Sequence, residues 1–251
     1  MIKQFKVNNC YLVFYVFTLA LNGISVAWTT GGNNQTANIF SAKLEWTDSE
    51  TRVYNSLINL ASQLGKAAGA LYGGALIVNG RREPFILHSV LSILSCLIMQ
   101  IVSVPTLVIG KFLHGVTVTV VHMASNKMIS ETVPVDQLGK FGSAFSILNN
   151  VGYTLVLGFG LLLPSGDYNP ALVNDPANLR AKQADIEDQW WHFVLFFPFI
   201  VNSLILINYM VYIKEDSIMF NLSQGEEAGA LRLIEKIYDT SGDHDGTTIL
   251  N

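Results

Sequence analysis

Polar and charged residues divide the chain into six apolar stretches of about 20 residues, the length that a helix needs to cross the hydrocarbon core of a bilayer. The pattern predicts an all-α membrane protein with six transmembrane helices. Within the second stretch, Gly65, Gly69 and Gly73 recur at four-residue spacing and predict a face for close helix packing. The six predicted spans are residues 8–28, 53–78, 84–103, 106–128, 138–163 and 192–213.

The chain turns polar after the sixth span. Residues 226–238 predict a short amphipathic helix, because four apolar residues share one face: Ala230, Leu233, Ile234 and Ile237. We therefore expect a six-helix bundle over residues 1–213, followed by a cytosolic linker with one short helix over residues 214–251.

Basic residues predict the orientation of the bundle in the membrane. If both termini are cytosolic, nine Lys and Arg residues lie in inside segments and four in outside segments, which agrees with the positive-inside rule. Residues 29–52 and 164–191 are then the two long outside loops. The first loop contains the sequon Asn34-Gln35-Thr36, so we expect Asn34 to be glycosylated.

Composition excludes several classes of function. The net charge is −4 and the Lys and Arg residues form no large cluster, which argues against a nucleic-acid partner. Both cysteines, Cys10 and Cys96, lie in apolar stretches and predict neither a disulfide framework nor a metal site. The sequence contains no G-x-S-x-G, Walker or H-E-x-x-H motif, so we expect no catalytic residues, cofactor or metal.

Two polar stripes lie at helical spacing inside the predicted spans. One consists of Asn55, Asn59, Gln63 and Lys66 in the second span, and the other of Ser146, Asn149, Asn150 and Tyr153 in the fifth. Amides and hydroxyls suit a hydroxyl-rich solute, because they donate and accept hydrogen bonds. We predict that Gln63, Lys66 and the whole second stripe contact the solute; hydrogen bonding between helices is the alternative.

Lys66 lies near the middle of the second span. An ammonium group at this depth costs several kcal/mol unless it meets water, a partner or a solute. The six spans contain no Asp or Glu, so Lys66 has no predicted counter-ion and favours an acid-bearing solute. The missing carboxylates also argue against proton coupling. The alternative is a lysine that extends to the membrane interface or binds backbone carbonyls.

Five short motifs resemble those of the sugar porter family of the major facilitator superfamily, in the family's order. The first lacks the family's Asp and is one residue shorter, the second has Lys for Arg, and the third has Leu for Arg. The motifs are Gly73-Gly74-Ala75-Leu76-Ile77-Val78-Asn79-Gly80-Arg81-Arg82, Gly110-Lys111-Phe112-Leu113-His114-Gly115, Glu131-Thr132-Val133-Pro134 with Leu138-Gly139, Trp191-His192, and Glu215 with Gly225-Glu226-Glu227-Ala228 and Leu231.

The resemblance implies two six-helix halves with the solute site between them at the membrane midplane. It places three residues of the second stripe, Ser146, Asn149 and Tyr153, on the sugar-contacting face of helix five. It also implies a cytosolic gating network formed by Arg81, Arg82, Lys111, Glu131 and Glu215.

The chain supplies six of the family's twelve helices. We therefore expect the N-terminal half of a facilitative carrier that moves a sugar or similar hydroxylated solute by alternating access. It would lie in the plasma membrane or an endomembrane, contact the lipid bilayer, and need a second six-helix half as the rest of its chain or as a partner. The alternative is a truncated fragment or a non-transporting membrane subunit that packs against a partner.

Overall fold

The computed structural model describes residues 7–164 and 168–238, and this part of the chain is helical without β-sheet. Its helices are α1 (Asn9–Ala20), α2 (Asn22–Lys43), α3 (Asp48–Val78), α4 (Arg82–Ile98), α5 (Val104–Thr132), α6 (Val135–Phe141), α7 (Ala144–Gly160), α8 (Pro176–Glu187), α9 (Trp190–Val211), α10 (Ile218–Ser223) and α11 (Glu227–Ile237). The inner end of the bundle is the end at which the chain turns from α3 into α4, and the outer end is the end at which it turns from α2 into α3. These names follow the predicted topology.

The helices follow the predicted spans closely at most positions. α3, α4, α5 and α9 begin and end within five residues of the second, third, fourth and sixth spans. The fifth span is divided into α6 and α7, which are separated by Gly142 and Ser143. α11 occupies the predicted amphipathic segment and buries its apolar face beneath α1, where the Asn8 amide donates to the Ile237 carbonyl oxygen at 2.6 Å.

The prediction of an outer loop over residues 29–52 is wrong. Only Leu21 separates α1 from α2, and α2 continues to Lys43 before α3 begins at Asp48. Paired glycines and asparagines interrupt the hydrophobic pattern, but the glycines are needed for packing. A Cβ atom at Gly31 would lie 2.5 Å from Val156 of α7, and one at Gly32 would lie 2.6 Å from Val194 of α9.

The second predicted loop also contains a helix. Pro176 is the first residue of α8, and the Asp175 carboxylate caps the helix by accepting from the Ala177 amide at 3.1 Å. α8 lies against the outer end of α2, where the Lys43 ammonium donates to the Ile186 carbonyl oxygen at 2.6 Å. The outer end of the bundle is therefore capped by an ordered helix.

The glycines of α3 form the packing face that their spacing predicts. A Cβ atom at Gly65 would clash with the Phe112 carbonyl oxygen, and one at Gly69 would lie 2.5 Å from the Val116 carbonyl oxygen. α3 and α5 thus approach each other at backbone distance, as small residues allow in membrane proteins.

A proline in α9 leaves a backbone carbonyl oxygen free to accept a hydrogen bond from α2. Pro198 has no N–H, so the Val194 carbonyl oxygen lacks its usual partner within the helix. The Trp28 indole N–H donates to that oxygen at 2.8 Å. The bond satisfies a backbone acceptor that would otherwise be unpaired away from water.

Hydropathy alone identifies only part of the bundle. Three described stretches are long and apolar enough to cross a membrane: Cys10–Lys43, Val104–Thr132 and Pro176–Val211. α4 and α7 have 17 residues each, and α3 carries the first polar stripe. The assignment of these three helices to the membrane therefore depends on the fold as a whole.

Candidate functional site

The first polar stripe runs along α3 beside α2. Asn59 accepts a hydrogen bond from Asn33 at 2.6 Å, and the Lys66 ammonium donates to the Thr30 hydroxyl at 3.3 Å. Asn59 and Gln63 are exposed and Lys66 is half-buried. The stripe thus links two helices and also leaves polar groups free on an open face.

Lys111 of α5 contacts the same turn of α2 and is more deeply buried than Lys66. Its side chain is 2% exposed, and its ammonium donates to the Thr29 carbonyl oxygen at 2.8 Å. Lys111 precedes Glu131 by twenty residues on α5, which corresponds to about 30 Å of helix. The prediction that Lys111 joins a gating network with Glu131 is therefore wrong.

A buried polar cluster continues from Thr29 into the centre of the bundle. His114 of α5 lies 2.9 Å from the Thr29 hydroxyl and 3.2 Å from both the Ser92 and Ser95 hydroxyls of α4. Asn202 of α9 donates to Ser92 at 3.1 Å. These bonds hold four helices together. Within residues 7–164 and 168–238, no three His, Cys, Asp or Glu side chains form a candidate metal site.

The second polar stripe lies on α7, which also packs against α2. Ser146 and Asn150 are exposed, and Asn150 donates to the Ser146 carbonyl oxygen of its own helix at 3.0 Å. Asn149 and Tyr153 are half-buried, and both lie close to glycines of α2. The structure thus places the two predicted stripes on helices that both contact α2.

An ion pair at the inner end joins the start of α4 to the end of α5. The Arg81 guanidinium donates to Glu131 twice, at 3.0 and 2.8 Å, and the two side chains are only 11% and 12% exposed. Lys127 lies 3.2 Å from the same carboxylate, and the Ser217 hydroxyl also donates to it. Burial acts to raise the pKa of Glu131, but the bonds from Arg81, Ser217 and Lys127 lower it overall.

The other predicted gating residues have different partners. The Arg82 backbone amide donates to Asp216 at 3.0 Å, but its guanidinium has no carboxylate partner in the part of the chain described. Glu215 pairs with Arg232 of α11 at 2.7 Å instead. Sequence reasoning missed Asp216, although it directly follows the predicted Glu215. Gly80 has a φ of 152°, which favours glycine in the turn beside Asp216.

The expected glycosylation site does not lie in a loop. Asn34 is exposed but sits within α2, and Thr36 of the same sequon is fully buried. The Thr36 hydroxyl donates to the Gly32 carbonyl oxygen at 3.0 Å. The exposed loop on which this expectation was based is therefore absent.

A buried carboxylate lies beneath the outer cap. The Asp185 side chain of α8 is fully buried, and neither of its oxygens has a hydrogen-bond partner among the residues that the structure describes. Burial raises the pKa of Asp185 to about 6; the charge of Asp188 adds to this effect and that of Lys43 opposes it.

Comparison with known sequences assigns the family. The model of the family described as "Sugar (and other) transporter" matches residues 14–247. A hexose transporter 1 of Toxoplasma gondii is 30% identical over 188 residues, which are 74% of this chain and 32% of that protein. A hexose transporter 1 of Plasmodium yoelii yoelii is 23% identical, over 90% of this chain and 45% of that protein. The chain thus spans less than half the length of these relatives.

Solved structures show the same fold. The proton:xylose symporter XylE bound to 6-bromo-6-deoxy-D-glucose superposes with a TM-score of 0.72 at 19% identity, over 97% of this chain and 52% of that structure. Inward-open XylE from E. coli gives a TM-score of 0.67 at 19% identity, over 95% of this chain and 55% of that structure. The predicted fold, an all-α half of a major facilitator fold, is confirmed. The chain belongs to the sugar transporter family and is a multi-pass membrane protein.

Proposed function

We propose that the chain forms the N-terminal half of a carrier that moves a sugar or a similar hydroxylated solute by alternating access. The observation that carries this proposal is the pair of polar stripes on membrane helices, where Asn59, Gln63, Ser146 and Asn150 are exposed. Exposed amides in hydrocarbon are costly, so these residues fit a face covered by water and protein. The relatives described as hexose transporters support the choice of solute.

A second half would form the other wall of the solute path. This chain covers 52% of the XylE structure to which it was compared, and two-half carriers bind their solutes at the interface between the halves. We infer that six further helices, from the same polypeptide or from a partner chain, cover the two stripes. Asn149 and Tyr153 would then contact the solute beside α2.

The inner-end ion pair is suited to act as a gate. Arg81 and Glu131 join α4 to α5, and Ser217 brings the segment before α10 to the same carboxylate. We infer that this cluster stabilises one state of the carrier and that both termini lie on its cytosolic side, in the plasma membrane or an endomembrane.

Transport by this half would be facilitative. The six predicted spans contain no Asp or Glu, and such residues are absent from residues 8–44, 53–82, 84–130, 137–163 and 189–213 of the sequence. A carboxylate is the usual proton relay in such helices. In proteoliposomes, we expect a pH gradient to drive no uphill accumulation of solute through this half; accumulation that followed the gradient would contradict this inference.

The test is solute binding to the purified protein in the assembly that it forms in its native membrane. Native mass spectrometry in nanodiscs would show whether a second half is present, and calorimetry would measure the binding of hexoses and related solutes. We expect Gln63→Leu to weaken binding about tenfold, the loss of roughly one hydrogen bond. Gln100→Leu is the matched control, because Gln100 lies at the outer end of α4 beside His192. If no hydroxylated solute binds, or if the two variants behave alike, the proposal is wrong.

A further inference from the structure

Two positive side chains from different helices meet one turn of α2. Lys66 of α3 donates to the Thr30 hydroxyl at 3.3 Å, and Lys111 of α5 donates to the Thr29 carbonyl oxygen at 2.8 Å. Because Thr29 and Thr30 are consecutive, both ammonium groups contribute positive potential to the same part of the bundle. Lys111 is buried and Lys66 is half-buried, so Lys66 is the one that a ligand on the open face can reach.

In the described part of the chain, no carboxylate neutralises either lysine. The acidic residues nearest to them along α3 and α5 are Glu50 and Glu131, which lie sixteen and twenty residues away, about 24 and 30 Å along the helices. Neither lysine forms an ion pair within the described residues. Two uncompensated charges at this depth are costly, so an anion that approaches Lys66 gains more than it would at a water-exposed lysine.

Lys66 also retains hydrogen-bonding capacity. An ammonium group has three donors, and Thr30 accepts only one of them. The exposed amides of Asn59 and Gln63 lie on the same stripe of α3 and can bind hydroxyl groups. The stripe therefore combines one charged donor with neutral amides that can donate and accept.

We propose that Lys66 binds a carboxylate carried by an otherwise hydroxylated solute, and that Lys111 strengthens this site from inside the bundle. The solute class would then be sugar acids rather than neutral hexoses. This inference rests on the proposed function, because it assigns the solute of the same face. A free inorganic anion presents similar chemistry to Lys66, so the test must separate the two sources.

The experiment compares D-glucuronate with D-glucose, which differ at one carbon atom. Binding is measured by calorimetry on the native assembly in nanodiscs at neutral pH, with and without chloride. We expect D-glucuronate to bind at least tenfold more tightly, as a charge-assisted hydrogen bond provides. Lys66→Met should abolish the preference, so that the variant binds D-glucuronate no more tightly than D-glucose. Lys140→Met removes a lysine at the inner end and should leave the preference unchanged.

Each outcome supports or overturns the inference. Equal affinities in the parent protein, or a preference that survives Lys66→Met, would overturn it and leave the proposed function standing. D-Glucose binding that depends on chloride would assign Lys66 to an inorganic anion and would also overturn it. If neither sugar binds, both proposals are wrong. Lys66→Arg keeps the charge and should retain most of the preference, which guards against a Lys66→Met variant that fails to fold.

Discussion

Removing the charge of Glu131 should destabilise the bundle measurably. Glu131 accepts two hydrogen bonds from Arg81 and further bonds from Ser217 and Lys127, at a site where Arg81 and Glu131 are 11% and 12% exposed. Breaking a fully buried pair costs about 3–5 kcal/mol and losing an exposed pair at most about 1 kcal/mol. Glu131→Gln keeps the shape of the side chain and some of its hydrogen bonds, so we expect a loss of about 2–3 kcal/mol.

The assay is equilibrium unfolding in mixed micelles, followed by tryptophan fluorescence. Lys127→Met is the matched control, because Lys127 contacts the same carboxylate but is 51% exposed; it should cost about 0.5 kcal/mol or less. In a double-mutant cycle, Glu131→Gln and Arg81→Met should be strongly non-additive. The reasoning fails if Glu131→Gln costs no more than the control, or if the two substitutions are additive.

The stability that Glu131 provides should also decrease as the pH falls into the acid range. The pKa of Glu131 is lowered in the folded protein, so its stabilisation is present above the unfolded value of 4.5 and is lost as the pH falls through the lower folded value. The difference between parent and Glu131→Gln should therefore be constant near neutral pH and shrink in acid.

Two further predictions concern the outer cap and the α3–α5 interface. The pKa of Asp185 is raised from 3.8 to about 6, so the ionised group destabilises the fold progressively as the pH rises through that window; Asp185→Asn should stabilise the protein by about 1–3 kcal/mol at neutral pH and much less near pH 4, and an equal effect at both pH values in thermal unfolding would contradict this. Gly65→Ala should cost about 3 kcal/mol or more, because the added methyl group clashes with the Phe112 backbone, whereas Gly74→Ala meets only Met123, at 4.0 Å, and should be neutral or slightly stabilising; equal unfolding midpoints for the two variants would refute the packing argument.

The helices could be predicted from the sequence where burial in lipid or protein imposes a simple pattern. α3, α4, α5 and α9 are bounded by charged or polar turns, and the glycine spacing of α3 directly encodes its contact with α5. The outer half of α2 could not be predicted in this way. Its glycines and asparagines are typical of a loop, and only the contacts with α7 and α9 show why they lie in a helix.

The candidate site was predicted in part. Polar spacing identified the stripes of α3 and α7, because a helical period needs no tertiary information. The partners across helices, such as Thr30 for Lys66, depend on how α2 packs and could not be predicted from the sequence. Lys111 differs, since its distance from Glu131 along a single helix already separates it from the inner cluster, and only the family resemblance favoured a shared network. The burial of Asp185 depends on the docking of α8, for which the sequence gives no signal.

The hydrogen bond between Trp28 and the Val194 carbonyl oxygen limits the combinations of substitutions that the chain can tolerate. The carbonyl needs Trp28 only because Pro198 cannot donate to it. In a Pro198→Ala background, the restored backbone amide can satisfy Val194, and Trp28→Phe then loses packing but leaves no unpaired acceptor. With Pro198 in place, the same Trp28→Phe change exposes a carbonyl oxygen to an apolar surrounding. The order in which the two substitutions are acquired therefore matters, and proline should be lost before tryptophan in any lineage that loses both.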